Sequence, residues 1–147
     1  MSRPPRRALI IEDNPRIRTL LRELLERSGY ETRSASDGTE GLHLFEPARD
    51  ELIITDLSMP GISGWEVAKT LRRRNPGLAV IIATGCLGDF DTARRRALRV
   101  VVLPKPFTFA ELRAAVDEAR ALAAISPTET SLAGTRGHAR PLERLDE

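Results

Sequence analysis

The chain is predicted to be an α/β protein, doubly wound, with a five-stranded parallel sheet and helices on both faces. Three observations predict it. Five short, mostly apolar runs alternate with five stretches that carry helical periodicity or helix-start signals. Four of the runs are continuously apolar, as strands covered on both faces must be. The connections are short, and strand–helix alternation implies parallel neighbours joined by right-handed crossovers.

Residues 1–6 are polar with two prolines and read as a disordered lead-in. Ala8 to Ile11 is the first strand, ending at Glu12-Asp13. Asn14 followed by Pro15 is a helix start, with Asn as N-cap and Pro in the first turn. Ile17, Leu20, Leu21, Leu24 and Leu25 then mark one helical face, and Gly29 closes it. Tyr30 to Ala35 alternates weakly and is the second strand, on the edge side. Asp37 caps a short helix through Leu42 and Phe45, which ends before Pro47. Leu52 to Thr55 is the third strand. It runs into Asp56 and then a Pro60-Gly61 turn.

Ser63 with Glu66 is a capping box for a third helix, whose basic end, Arg72 to Arg74, suits the helix dipole. Leu78 to Ala83 is the fourth strand and ends at Thr84-Gly85. Asp91 to Leu98 is a fourth helix, rich in arginine. Val100 to Leu103 is the fifth strand, followed by Pro104-Lys105-Pro106. Thr108 with Glu111 caps a fifth helix that continues through Leu122. Residues 126–147 lack periodicity and read as a polar, disordered tail, too short and too polar for a helix-turn-helix module.

The 147 residues suit one domain with a sizeable core. A single cysteine excludes an internal disulfide, and a reducing cytoplasm is the default. No apolar run approaches membrane-spanning length, and no signal-peptide core is present. Of the 23 basic residues only Lys69 and Lys105 are lysine, so either lysine is a candidate for a specific task.

In open parallel sheets, ligands bind beyond the carboxyl ends of the strands. Those ends carry Glu12, Asp13, Asp56, Thr84 and Lys105. Three carboxylates crowded at one edge repel; at ~5 Å and an effective dielectric of ~20 each pair costs about 3 kcal/mol. A divalent cation relieves this, and an all-oxygen donor set favours Mg²⁺. A hydroxyl and an ammonium on the same rim suit a tetrahedral dianion, and aspartate is a known nucleophile toward phosphorus. The residues therefore point to phosphoryl transfer onto Asp56.

Glu12-Asp13, Asp56-Leu57-Ser58-Met59-Pro60-Gly61, Thr84-Gly85 and Lys105-Pro106-Phe107 resemble the receiver domain of bacterial two-component response regulators, in its single-domain, chemotaxis-regulator-like form. The resemblance covers residues 7–125. It implies a flavodoxin-like strand order 2-1-3-4-5 and a phosphoacceptor at Asp56. It also implies Mg²⁺ held by Asp13, Asp56 and the Ser58 carbonyl, with Glu12 acting through water. Thr84 and Lys105 would meet the phosphoryl group, and the bond to Pro106 would be cis. The implied donor is a phosphohistidine on a sensor histidine kinase or phosphotransfer protein. The implied output is a downstream protein, or a homodimer partner, on the face of the fourth helix, fifth strand and fifth helix. Where such domains often carry an aromatic switch residue, this chain has Val102.

Other classes fit less well. Glu12 to Pro15 has no glycine to cradle a pyrophosphate, which excludes a dinucleotide site. An Asp-nucleophile phosphatase would place a second Asp at position 58. The arginines have no interleaved aromatic platform, which argues against direct nucleic-acid binding. The alternative kept is a receiver-like interaction module that works without phosphorylation. Cys86 is read as a small filler near the site, although with Ser58 it would flank the path of an attacking water. His43 and His138 have no ligand partners, Trp65 and Phe107 pack, and Arg72 to Arg74 are a solvated helix end. Arg94, Arg95, Arg96 and Arg99, with Asp117 and Glu118, are the candidate output charges.

Overall fold

The computed structural model describes residues 5–85 and 92–125. Ten elements alternate strictly: β1 Arg6–Ile11, α1 Pro15–Arg27, β2 Tyr30–Ala35, α2 Gly38–Leu44, β3 Asp50–Asp56, α3 Gly64–Arg74, β4 Ala79–Thr84, α4 Thr92–Leu98, β5 Val101–Pro104 and α5 Phe109–Ala123. The strands form one sheet in the order β2-β1-β3-β4-β5, every pair parallel. The expected order and the edge position of β2 are both found.

Period-two alternation along each strand divides the core in two. Ala8, Ile10, Leu52, Ile54 and Ile81 face one layer, packed with Leu21 and Leu25 of α1 and Leu112 and Val116 of α5. Leu9, Ile11, Ile53, Val80 and Ile82 face the other, packed with Trp65, Val67 and Leu71 of α3. Both faces are buried, which is why the strands read as unbroken apolar runs.

The helix starts follow their caps. Asn14 Oδ1 accepts from the Arg16 and Ile17 amides at 2.9 and 3.3 Å. Asp37 and Ser63 accept from the amides of Glu40 and Glu66. Thr108 and Glu111 form the full reciprocal box. Gly29 takes φ +95° just past α1, the left-handed conformation that glycine adopts without strain.

Strand boundaries differ from expectation: β4 and β5 each lie one residue later, and β1 and β3 each begin two residues earlier. Arg6 belongs to β1 and not to a disordered lead-in, because its backbone pairs with Tyr30 at the start of β2. Asp50 begins β3 two residues early, opposite Arg7. Its side chain is fully buried and takes ion contacts from Arg7 at 3.6 Å and Arg33 at 3.0 Å, and the Glu46 amide donates to it at 2.8 Å. A polar residue enters a buried strand when its charge is compensated in this way. The lead-in up to residue 4, Cys86, and the whole tail with His138 lie outside the described residues.

Candidate functional site

The carboxyl edge of the sheet gathers residues from four strands. Glu12 and Asp13 follow β1, Asp56 ends β3, Thr84 ends β4 and Lys105 follows β5. One carboxylate oxygen from each of Glu12, Asp13 and Asp56 can be chosen so that all lie within 4.8 Å of one another. The predicted acidic cluster is therefore assembled.

Its members differ in environment. Glu12 is 1% exposed, and its backbone amide donates to the Ala35 carbonyl at 3.0 Å, fixing it beside β2. The Asn14 amide donates to its Oε2 at 3.1 Å. Asp13 is exposed and Asp56 half-buried, so the cluster opens to solvent on one side. Burial pushes the Glu12 carboxyl above the ordinary glutamate range. The Lys105 and Asn14 hydrogen bonds pull it partly back, and the Asp56 charge adds to the rise.

Lys105 joins the two sides. Its ammonium donates to Glu12 Oε1 at 2.7 Å and lies 3.5 Å from Asp56 Oδ1. Its backbone amide donates to the Thr84 carbonyl at 2.9 Å, so the lysine is anchored to the end of β4. The Lys105–Pro106 bond is cis, as the resemblance implied. Thr84 is 1% exposed and is paired in register with Pro104.

Asp56 is held by local geometry. The Leu57 amide donates to its Oδ1 at 2.8 Å. Ser58 follows on the exposed loop, and Gly61 turns that loop at φ +87°. The loop is fastened to α3 by the Gly64 amide, which donates to the Leu57 carbonyl at 2.9 Å. A methyl group at Gly64 would overlap the Asp56 carbonyl oxygen and Leu57 Cα.

Sequence reasoning missed two supports. Arg18, one turn into α1, donates to the Glu12 carbonyl at 2.7 Å. Its position one turn past the Asn14 cap was the available signal. Arg94 of α4 stands 5.8 Å from the ring centre of Trp65, one residue beyond Gly64. No sequence pattern announces that contact.

The other candidates are placed as follows. Trp65 packs in the core at 7% exposure, and Phe107 packs against the opposite layer. His43 is exposed near the end of α2. Arg72 departs from its expected solvated role. It donates to the carbonyls of Leu98 at 3.1 Å and Arg99 at 3.0 Å, and also to that of Leu78. Burial, with the Arg99 charge beside it, lowers Arg72 to about 10. Of the candidate output charges, Arg95 lies 3.8 Å from Glu118 of the same chain. Arg99 is engaged by the Ile125 and Pro76 carbonyls, both at 2.8 Å.

The donor set suits Mg²⁺: three carboxylates, no His or Cys grouped with them among the described residues, and an exposed side that admits water and phosphate oxygens. The arrangement can hold a cation against a carboxylate while an ammonium waits beside the same group.

The comparisons agree with this geometry. Residues 8–117 match the family model described as response regulator receiver domain. A response regulator receiver protein of Anaeromyxobacter sp. (strain Fw109-5) is 39% identical over 103 residues, which are 69% of this chain and 43% of that protein. Sporulation initiation phosphotransferase F of Bacillus subtilis (strain 168) is 32% identical over 74% of this chain and 88% of its own length. The crystal structure of response regulator protein TrrA from Thermotoga maritima, in complex with Mg²⁺-BeF, superposes with a TM-score of 0.70 at 35% identity, over 78% of this chain and 98% of that one. The chain spans about half the length, or less, of the first curated relatives it matches. Matched over most of its length by sequence and by fold, the chain belongs to the receiver-domain family of two-component response regulators.

Proposed function

We propose that this receiver accepts a phosphoryl group on Asp56 from a phosphohistidine of a sensor histidine kinase or phosphotransfer protein, and that the change switches its binding to other proteins. The observation that carries this is Lys105, whose ammonium sits between Glu12 and Asp56 inside a three-carboxylate cluster. A lysine in that position balances charge in the resting site and is within reach of an added dianion.

Each residue has a defined task. An Asp56 carboxylate oxygen forms the bond to phosphorus as the phosphorus–nitrogen bond breaks, and the departing imidazole takes up a proton. Asp13, Asp56 and the Ser58 carbonyl would hold Mg²⁺, with Glu12 behind them. When bound, that ion supplies charge neutralisation for the phosphoryl oxygens. Lys105 and the Thr84 hydroxyl stabilise the same oxygens from the β4 and β5 side. Hydrolysis of the aspartyl phosphate in the same site returns the domain to rest. Support for the cation comes from the relative TrrA, whose structure holds Mg²⁺-BeF.

Output is assigned to the face of α4, β5 and α5, as a surface for a downstream protein or a second copy. Arg95 already faces Glu118 there, so a partner on this face competes with that contact. No helix among the described residues is long and apolar enough to cross a membrane. The proposed setting is the cytoplasm.

The test is phosphorylation by a small donor such as acetyl phosphate with Mg²⁺. The wild type should acquire a hydroxylamine-labile label, and Asp56→Asn should acquire none while keeping its fold. Label persisting in that variant would place the acceptor elsewhere. A wild type that takes no label would favour a receiver-like interaction module that acts without phosphorylation.

A further inference from the structure

The opposite edge of the molecule carries a second constellation, which the acceptor site does not use. A groove of about 410 Å³ runs between the end of α1 and the length of α5. Four arginines line it: Arg6 at the start of β1, Arg27 at the end of α1, and Arg113 and Arg120 on α5. Phe109 is partly exposed at its floor, where Tyr30 and Val116 are buried in the core, and Asp117 is the one acid among the described residues on its wall. Among the described residues, no ion pair joins any of these four arginines to a carboxylate.

The charges are held in place. The Arg27 and Arg113 guanidinium carbons stand 6.0 and 5.8 Å from the centre of the same Phe109 ring. A guanidinium resting on a ring keeps its N–H edge turned outward for a carboxylate, and less of its freedom remains to be lost on binding. On α5, Phe109, Arg113, Val116 and Arg120 recur at helical spacing, so apolar and cationic positions share one stripe. From Phe109 to Arg120 the stripe is about 16 Å long.

We propose that this groove is a docking site for an acidic helix of a partner protein, whose carboxylates meet Arg113 and Arg120 and whose apolar side rests on the partly exposed Phe109. The straight row of cationic positions along one helix fits the helix-in-groove mode of recognition. A second copy of this chain is a poor occupant, since four arginines and one aspartate would meet the same set. A nucleic acid is a poorer occupant, because the Phe109 ring already faces Arg27 and Arg113 and the groove offers no free ring on which a base could stack. Arg6, Ser28 and Tyr30 lie at the amino ends of the strands, Asp56 lies at a carboxyl end, and no residue lining the groove belongs to the acceptor site. The inference therefore does not rest on phosphorylation of Asp56, and the partner is held whether or not the acceptor is occupied.

The experiment titrates the full chain with a synthetic helix of about four turns made of Ala, Leu and Glu, followed by fluorescence anisotropy. The comparison probes are the same helix with Gln for Glu, and oligodeoxythymidine of equal charge. The Glu helix should bind, bind more weakly as salt rises, and bind Asp56→Asn as well as the wild type. Arg113→Glu with Arg120→Glu should weaken it at least tenfold. Lys69→Glu with Arg73→Glu, an equal charge change at exposed positions on α3, should weaken it less than threefold. Arg113→Gln with Arg120→Gln, which avoids new like-charge contacts, serves if the reversal lowers the melting temperature. Equal binding of the Gln helix, tighter binding of the oligonucleotide, or equal loss in both reversal pairs would overturn the proposal. Loss of binding in Asp56→Asn alone would overturn its independence from the acceptor.

Discussion

Glu12 is the residue on which opposing effects are most evenly matched. Burial raises its pKa, and Lys105 with the Asn14 amide lowers it again, leaving a net rise. The sign of the consequence is definite. Between its ordinary and raised values, the folded metal-free chain binds more proton at this position than the unfolded chain does. Its contribution to stability is therefore full below the unfolded pKa and is lost as pH rises through the folded one. The same proton competes with a cation at the cluster. Mg²⁺ affinity, measured by calorimetry, should therefore begin to fall on acidification at a pH above the ordinary glutamate range. In Glu12→Gln that component of the pH dependence should disappear. An affinity that stays constant down to the ordinary range would contradict the role given to Glu12.

At the scale of elements, the join between β3 and α3 positions Asp56, the proposed acceptor. Gly64 is packed against the Asp56 and Leu57 backbone. Gly64→Ala should cost about 1–3 kcal/mol through overpacking, and should slow labelling of Asp56 at least tenfold in the fraction that remains folded. Gly77→Ala is the control, because a methyl group there meets only Asn75 Oδ1 at 3.6 Å; urea melts and label kinetics on both variants decide the matter. Element starts were legible where a cap announces them, as at Asn14, Asp37, Ser63 and Thr108, because a cap is a local hydrogen bond written in adjacent residues. The acidic cluster was legible because strand ends in a parallel sheet converge by topology. What sequence could not show was contact over distance. Arg72 looked like one of three solvated cations, yet it binds carbonyls 26 and 27 residues away. Asp50 looked like a loop residue, because the guanidiniums that admit it to β3 come from β1 and β2.

Across the whole molecule, the two edges of the sheet solve the same electrostatic problem in opposite ways. The carboxyl edge leaves its acids crowded and open. The amino edge buries Asp50 and surrounds it with Arg7, Arg33 and the Glu46 amide, linking β1, β2 and the start of β3. Asp50→Ala strands two guanidiniums, one of them nearly buried, and should cost about 3–5 kcal/mol in urea unfolding. Labelling of Asp56, corrected for the folded fraction, should be unchanged, and a change would show that the two edges communicate. The Lys105–Glu12 hydrogen bond has a further consequence. It closes a span of 93 residues, from the end of the first strand in the sequence to the end of the last. On a ribosome, or in refolding from denaturant, a nascent domain without β5 has the acceptor aspartate but not the cation that balances it. Under the proposed function, competence to take phosphate would arise only when the earliest and latest strands have met, and the acceptor reaction would itself become a timer for completion of the fold.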